Sequence, residues 1–147
     1  MLKDAPEHDQ SVAKQLSFAL YGAANRMVRL HTPLLSPLGL TFPQYLVMLE
    51  LFAGTPRLVG ELGARLGMDA GTITPLLKRL EQSGMVTRQR DTRDERRVLI
   101  NLTPAGAALR EEVWDVSNRV KSDCQLTDEG LITLRDALDA LARREPE

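Results

Sequence analysis

Thr72, Thr74, Lys78 and Arg79 lie close together, interleaved with Ile73, Leu76, Leu77 and Leu80. On a helix the four apolar residues make one stripe, and the hydroxyls and bases are left on the other side. Such groups on an exposed helix face suit the base edges and phosphates of a duplex. A second basic group follows: Arg88, Arg93, Arg96 and Arg97, set among Asp91, Asp94 and Glu95. Guanidinium groups are drawn to the negative potential of a narrow minor groove. Unpaired acids among them would repel phosphate. Asp94 is therefore expected to pair with a neighbouring arginine and fix its direction. A solvated helix face and an ordinary hairpin with surface ion pairs would carry some of the same residues. The elements that hold them must decide.

From Gln10 to His31, the residues Val12, Leu16, Ala19, Leu20, Ala23, Met27 and Leu30 recur at helical spacing, and Pro33 is expected to end that helix. Leu34 to Leu40 reads as a turn with a short helical piece. Thr41-Phe42-Pro43-Gln44 starts a second helix, with Thr41 as cap and Gln44 reaching back. It stops at Gly54-Thr55-Pro56. A short helix, Glu61 to Leu66, is closed by Gly67. A turn with Asp69 as acidic cap then opens the helix that carries Gly71, Thr72, Thr74, Pro75, Lys78 and Arg79, which Gly84 ends. Two helices meeting at a tight turn make a helix-turn-helix, whose second helix can enter a major groove. Residues 85–90 and 97–102 have strand character, and 91–96 form a charged tip between them. Thr103-Pro104 starts a long helix through Ala107, Leu109, Val113, Val116 and Val120. Leu126-Thr127-Asp128-Glu129 caps a last one with Leu131, Leu134, Leu138 and Leu141.

The fold expected is mainly α with a small β-hairpin wing: a winged helix-turn-helix plus long dimerisation helices. Three segments follow. Residues 1–40 form an N-terminal dimerisation helix and its connection, 41–103 the winged helix-turn-helix DNA-binding domain, and 104–147 the C-terminal dimerisation helices. The flanking helices have apolar stripes with no obvious partner, and intertwining with a second copy buries them.

The chain has 147 residues, 43% of them hydrophobic and 4% aromatic, which fits one helical domain. The net charge is -1, but residues 57–104 carry nine bases against six acids, and residues 105–147 six bases against ten acids. A basic middle between neutral and acidic ends suits one surface for a polyanion. One cysteine and two histidines, one of them His8 near the N-terminus, exclude a disulfide framework and an internal zinc site. No apolar run long enough for a membrane span and no signal-peptide pattern occur, so a soluble cytoplasmic protein is expected. Paired carboxylates in a glycine-framed cleft, a Gly-rich phosphate loop and a nucleophile motif are all missing. No catalytic residue, cofactor or metal is expected.

Several segments together resemble the MarR family of bacterial transcriptional regulators over nearly the whole chain. They are Leu40-Thr41-Phe42-Pro43-Gln44-Tyr45, Asp69 through Glu81, Gly84-Met85-Val86-Thr87-Arg88, Asp94-Glu95-Arg96 and Leu102-Thr103-Pro104-Ala105-Gly106. The resemblance implies a homodimer on a palindromic operator, a repressor released by a small-molecule effector. Double-stranded DNA would be held by Gly71, Thr72, Thr74, Pro75, Lys78, Arg79, Arg88, Arg93, Asp94, Arg96 and Arg97. Within the family, Leu16 to Tyr21 and Phe42 to Leu49 resemble the organic-hydroperoxide sensors. Those sensors carry a reactive cysteine where this chain has Ser17, and hold its thiolate with two tyrosines where it has His31 and Phe42. All three positions depart, so peroxide sensing by a first-helix thiol is expected to be absent. Ser17, Tyr21, His31, Phe42 and Tyr45 form the candidate effector pocket, suited to a small planar or anionic molecule. The same residues could equally be core and interface. Cys124 is either a lone structural thiol or the basis of an intersubunit disulfide or oxidation switch. A redox-responsive regulator using Cys124, and a winged helix for protein contacts without DNA, are the alternatives.

Overall fold

Helix α1 spans Leu16–Leu35, behind a 3-10 turn at Val12–Lys14. The computed structural model describes residues 11–143, so Gln10, His8 and the ends of segments 1–40 and 104–147 lie outside it. The helix starts later than its apolar spacing predicts, because Gln15 is extended (φ -81°, ψ 132°). It also runs past His31 and through Pro33. A proline removes the hydrogen bond to the carbonyl four residues back, here that of Arg29. The neighbouring bonds hold the turn: Thr32 Oγ1 donates to the Val28 carbonyl at 2.9 Å, and the Ser36 N–H to that of Thr32. A short 3-10 turn, Ser36–Leu38, leads on to the next helix.

Helix α2, Phe42–Ala53, begins with the expected capping box. Thr41 Oγ1 accepts the Gln44 N–H at 3.3 Å, and Gln44 Oε1 accepts the Thr41 N–H at 3.0 Å. Strand β1, Arg57–Leu58, follows, then helix α3, Val59–Leu66, ended by Gly67 with φ 66°. Helix α4, Ala70–Gln82, is capped by Asp69, whose Oδ1 accepts the Thr72 N–H at 2.9 Å. Strands β2, Val86–Arg90, and β3, Val98–Leu102, form the hairpin, with Arg88 opposite Ile100. The sheet has a third, unforeseen member. β1 pairs antiparallel with the free edge of β3, Arg57 opposite Ile100, in the order β1-β3-β2.

The long helix expected from Pro104 is broken in two: α5, Pro104–Ala107, and α6, Arg110–Asp123. At the break the Leu109 N–H reaches the Gly106 carbonyl at 3.2 Å, three residues back, and the Val113 N–H to Leu109 carbonyl bond restarts the α ladder. Gly106 is pressed against the Met85 backbone, which fixes the first turn. Val113, Val116 and Val120 must meet the core. The tightened turn reconciles the two directions. The last helix, α7, is Asp128–Arg143, with Thr127 Oγ1 accepting the Gly130 N–H at 3.0 Å.

One core joins these elements. Leu35 of α1, Val47, Met48 and Leu51 of α2, Leu62 of α3, Ile73, Leu77 and Leu80 of α4, Ile100 of β3 and Val113 of α6 are all buried. Leu16, Phe18 and Tyr21 on α1 and Ile132, Leu134, Leu138 and Leu141 on α7 are exposed, and no residue of α7 is buried.

Candidate nucleic-acid interface

The sequence of α4 sorts itself onto two sides. Ile73, Leu76, Leu77 and Leu80 face the core; Gly71, Thr72, Pro75, Lys78 and Arg79 are exposed, and Thr74 is half-buried. Burial of four branched side chains holds the helix in place, since truncating any one would leave a cavity in the core. Pro75 sits one turn inside, and its missing N–H leaves no intrahelical donor for the Gly71 carbonyl.

At the hairpin tip, aspartates shape the backbone. Asp91 Oδ1 accepts the Arg93 N–H and Asp94 Oδ1 the Arg96 N–H, each at 3.0 Å. The expected Asp94–arginine ion pair is replaced by another: Arg97 Nε lies 3.8 Å from Asp91 Oδ2. The Asp91 N–H donates to the Arg97 carbonyl at 2.7 Å, which brings Arg97 beside Asp91, while Asp94 caps the turn at Arg96. Arg93 and Arg96 are left exposed.

Arg88 is half-buried in the middle of β2, and among the described residues its buried Nε has no hydrogen-bond partner. It lines a cleft of about 740 Å³ between α3, α4 and the hairpin, together with Thr74, Arg96, Arg97 and Glu61. Residue types alone do not point to Glu61. Its only sequence signal is an acid in the first turn of α3, beside bases that follow much later in the chain. The positive end of the α4 dipole adds to the attraction for anions here.

Of the five candidate pocket residues, a single protomer brings three together. His31 is buried, its ring 4.9 Å from Phe42 and 5.1 Å from Tyr45, and Phe42 and Tyr45 are 6.0 Å apart. His31 Nδ1 donates to the Met27 carbonyl at 2.7 Å, and the Tyr45 hydroxyl bonds Ser117 Oγ. Ser17 and Tyr21 are exposed near the start of α1. Ser17 lies roughly 21 Å from His31 along the helix axis at 1.5 Å per residue. A second cavity, about 520 Å³, separates Leu49, Phe52 and Ala53 of α2 from Arg110, Glu111, Trp114 and Asp115 of α6. Arg110 lies over the Phe52 ring at 5.3 Å, and Trp114 is 63% exposed. The signal for this cavity was the chain's single tryptophan, placed off the buried valine stripe of α6.

Cys124 is half-buried at the C-terminal cap of α6. Among the described residues no cluster of His, Cys, Asp or Glu side chains is arranged to hold a metal ion, and no single helix is long and apolar enough to cross a membrane.

A helix-turn-helix whose second helix keeps an exposed polar face, followed by a hairpin bearing arginines, is a winged helix. Known proteins narrow the class. Residues 29–113 match the family model of the transcriptional regulator SarA/Rot, itself a MarR-type winged helix. The chain is 42% identical to the organic hydroperoxide resistance transcriptional regulator of Bacillus subtilis over 127 residues, 86% of either chain. It is similar to reduced AbfR bound to DNA, with TM-score 0.76 and 34% identity over 89% of this chain and 92% of that one. It is also similar to a mutant MarR from E. coli complexed with operator DNA, with TM-score 0.73 and 29% identity over 86% of this chain and 92% of that one. The chain belongs to the MarR family of winged-helix transcriptional regulators.

Proposed function

We propose that the chain is a cytoplasmic, homodimeric repressor that grips a palindromic operator with α4 in the major groove and the β2–β3 wing in the adjacent minor groove. The observation that carries this is the two-sided α4: buried Ile73, Leu76, Leu77 and Leu80 behind exposed Thr72, Pro75, Lys78 and Arg79, with Arg93 and Arg96 exposed beside them. Thr72, Thr74 and Lys78 would read base edges. Gly71 and Pro75 let the backbone approach closely; Arg79 and Arg88 would hold phosphates. Arg93, Arg96 and Arg97 would serve the wing, with Asp94 shaping it. The DNA-bound state of AbfR and of the MarR mutant supports this placement. The exposed apolar faces of α1 and α7 support the dimer.

The effector would sit against the His31, Phe42 and Tyr45 rings, where α1, α2 and α6 converge, with Ser17 and Tyr21 supplied by the second copy. A ligand favouring a spacing of the two α4 helices unsuited to DNA lowers affinity by linkage. With serine at position 17, a first-helix thiol has no part in the response.

The test is an anisotropy titration against the DNA upstream of the chain's own coding sequence, over a salt series. Nanomolar binding that weakens steeply with salt is expected. Weak binding, or binding indifferent to salt, would overturn the reading.

A further inference from the structure

The end of α4 and the head of α5 are joined by a clasp of main-chain and hydroxyl groups. The Met85 N–H donates to the Leu80 carbonyl of α4 at 3.0 Å, after Gly84 turns the chain with φ 79°. The Met85 carbonyl accepts the Thr103 N–H at 3.1 Å. Thr103 Oγ1 donates to the Gly84 carbonyl at 2.5 Å and accepts the Gly106 N–H at 3.0 Å. Gly106 is buried, and a Cβ there would lie 2.1 Å from the Met85 carbonyl oxygen, far inside van der Waals contact. The link from wing to helix is direct: Leu102 ends β3, Thr103 caps, and Pro104 begins α5.

Two routes connect α4 with the helices that flank the winged helix. One runs through α2, which packs on both α4 and α6 by apolar side chains. Such contacts are non-directional and tolerate small sliding. The other is the clasp, whose hydrogen bonds are directional and whose glycine leaves no slack. The clasp therefore holds the head of α5 against the end of α4, and bears on α6 through the tightened turn at Leu109.

We propose that Thr103 and Gly106 are positioning residues for DNA recognition. They set the separation of the two α4 helices in the dimer, and so the half-site spacing that the protein accepts. This rests on the DNA-binding dimer reading above. Neither residue lies on α4 or at the wing tip; each acts through the Gly84–Met85 turn.

The test uses the full chain and synthetic duplexes, with a half-site selected by the wild type from a random library. Each duplex carries two copies of it at the natural separation, or at one base pair more or less. A scrambled duplex measures sequence-independent binding. The wild type prefers the natural separation. Thr103→Val is expected to lose about tenfold of that preference, the size of a single wrong base pair. Thr103→Ser, which keeps the hydroxyl, retains it, and binding to the scrambled duplex is unchanged. Gly106→Ala shifts the preferred separation if it folds; if it does not, the Thr103 pair still decides. An equal loss at every separation, with the preference intact, would mean a merely structural role and overturn the proposal. A wild type that selects no duplex at all would overturn the DNA-binding reading, and the clasp proposal with it.

Discussion

Asp94 turns its Oδ1 to the backbone N–H of Arg96, 3.0 Å away, and so shapes the wing tip without neutralising the Arg96 guanidinium. The tip is pinned by hydrogen bonds where the main chain bends and charged where the side chain leaves it. Arg96→Ala is expected to weaken operator binding by about 1–3 kcal/mol if the guanidinium enters a groove. Asp94→Ala should weaken it less, through a looser tip, although the substitution removes a negative charge. Tighter binding by Asp94→Ala in an anisotropy titration would show that charge, not shape, is the role of this aspartate.

Lys78 is exposed on α4, and among the described residues no ion pair holds it. Lys78→Ala should alter sequence preference and leave the slope of log affinity against log salt nearly unchanged if the ammonium meets a base edge. A slope reduced by about 1, with uniform weakening across sequences, would instead place Lys78 on a phosphate.

Leu77 is fully buried beneath that exposed face. Leu77→Ala is expected to cost about 2–5 kcal/mol of stability, by lost burial and the cavity left behind. Chemical denaturation gives the value. A loss under about 1 kcal/mol would show that the α4 stripe packs loosely.

Lys121 Nζ lies 2.8 Å from Asp128 Oδ1, across the corner between α6 and α7. The hydrogen bond first, and the ammonium charge second, hold the Asp128 carboxyl below the usual carboxylate range. With the folded pKa depressed, the pair's contribution is present above the unfolded value of about 4 and is lost as pH falls through the folded one. Both groups are exposed, so the effect on stability is small. NMR titration of the Asp128 carboxyl should give a lower midpoint in the wild type than in Lys121→Met. Equal midpoints would show that the pair does not persist in solution.

The His31 ring donates from Nδ1 to the Met27 carbonyl. Neutral His31 should therefore carry its proton on Nδ1, leaving Nε2 as an acceptor. Nitrogen-15 shifts read this directly, and protonation of Nε2 alone would contradict the bond.

Legibility in the sequence followed distance along the chain. Thr41 with Gln44, Asp69 with Thr72 and Thr103 with Gly106 are caps made three residues apart, so both partners are visible at once. The buried side of α4 was readable because spacing alone sorts it. What went unread depends on distant partners. Arg57–Leu58 is a strand only because Leu99 and Ile100 offer an edge to it. The break at Leu109 follows from the approach of Gly106 to Met85. Asp91, rather than Asp94, holds Arg97 because the tip folds back on itself, which residue types do not reveal. Resemblance groups Ser17 and Tyr21 with His31, and one protomer keeps them apart.

Helix α7 has no buried residue, while Ile132, Leu134, Leu138 and Leu141 are 40–50% exposed. A short amphipathic helix in water has little stability of its own. Its persistence must then follow mass action: dilution below the dissociation constant of the dimer should unwind the carboxyl-terminal tail before the winged helix melts. The helical signal of this protein is thus expected to fall with dilution, and circular dichroism over a concentration series checks it.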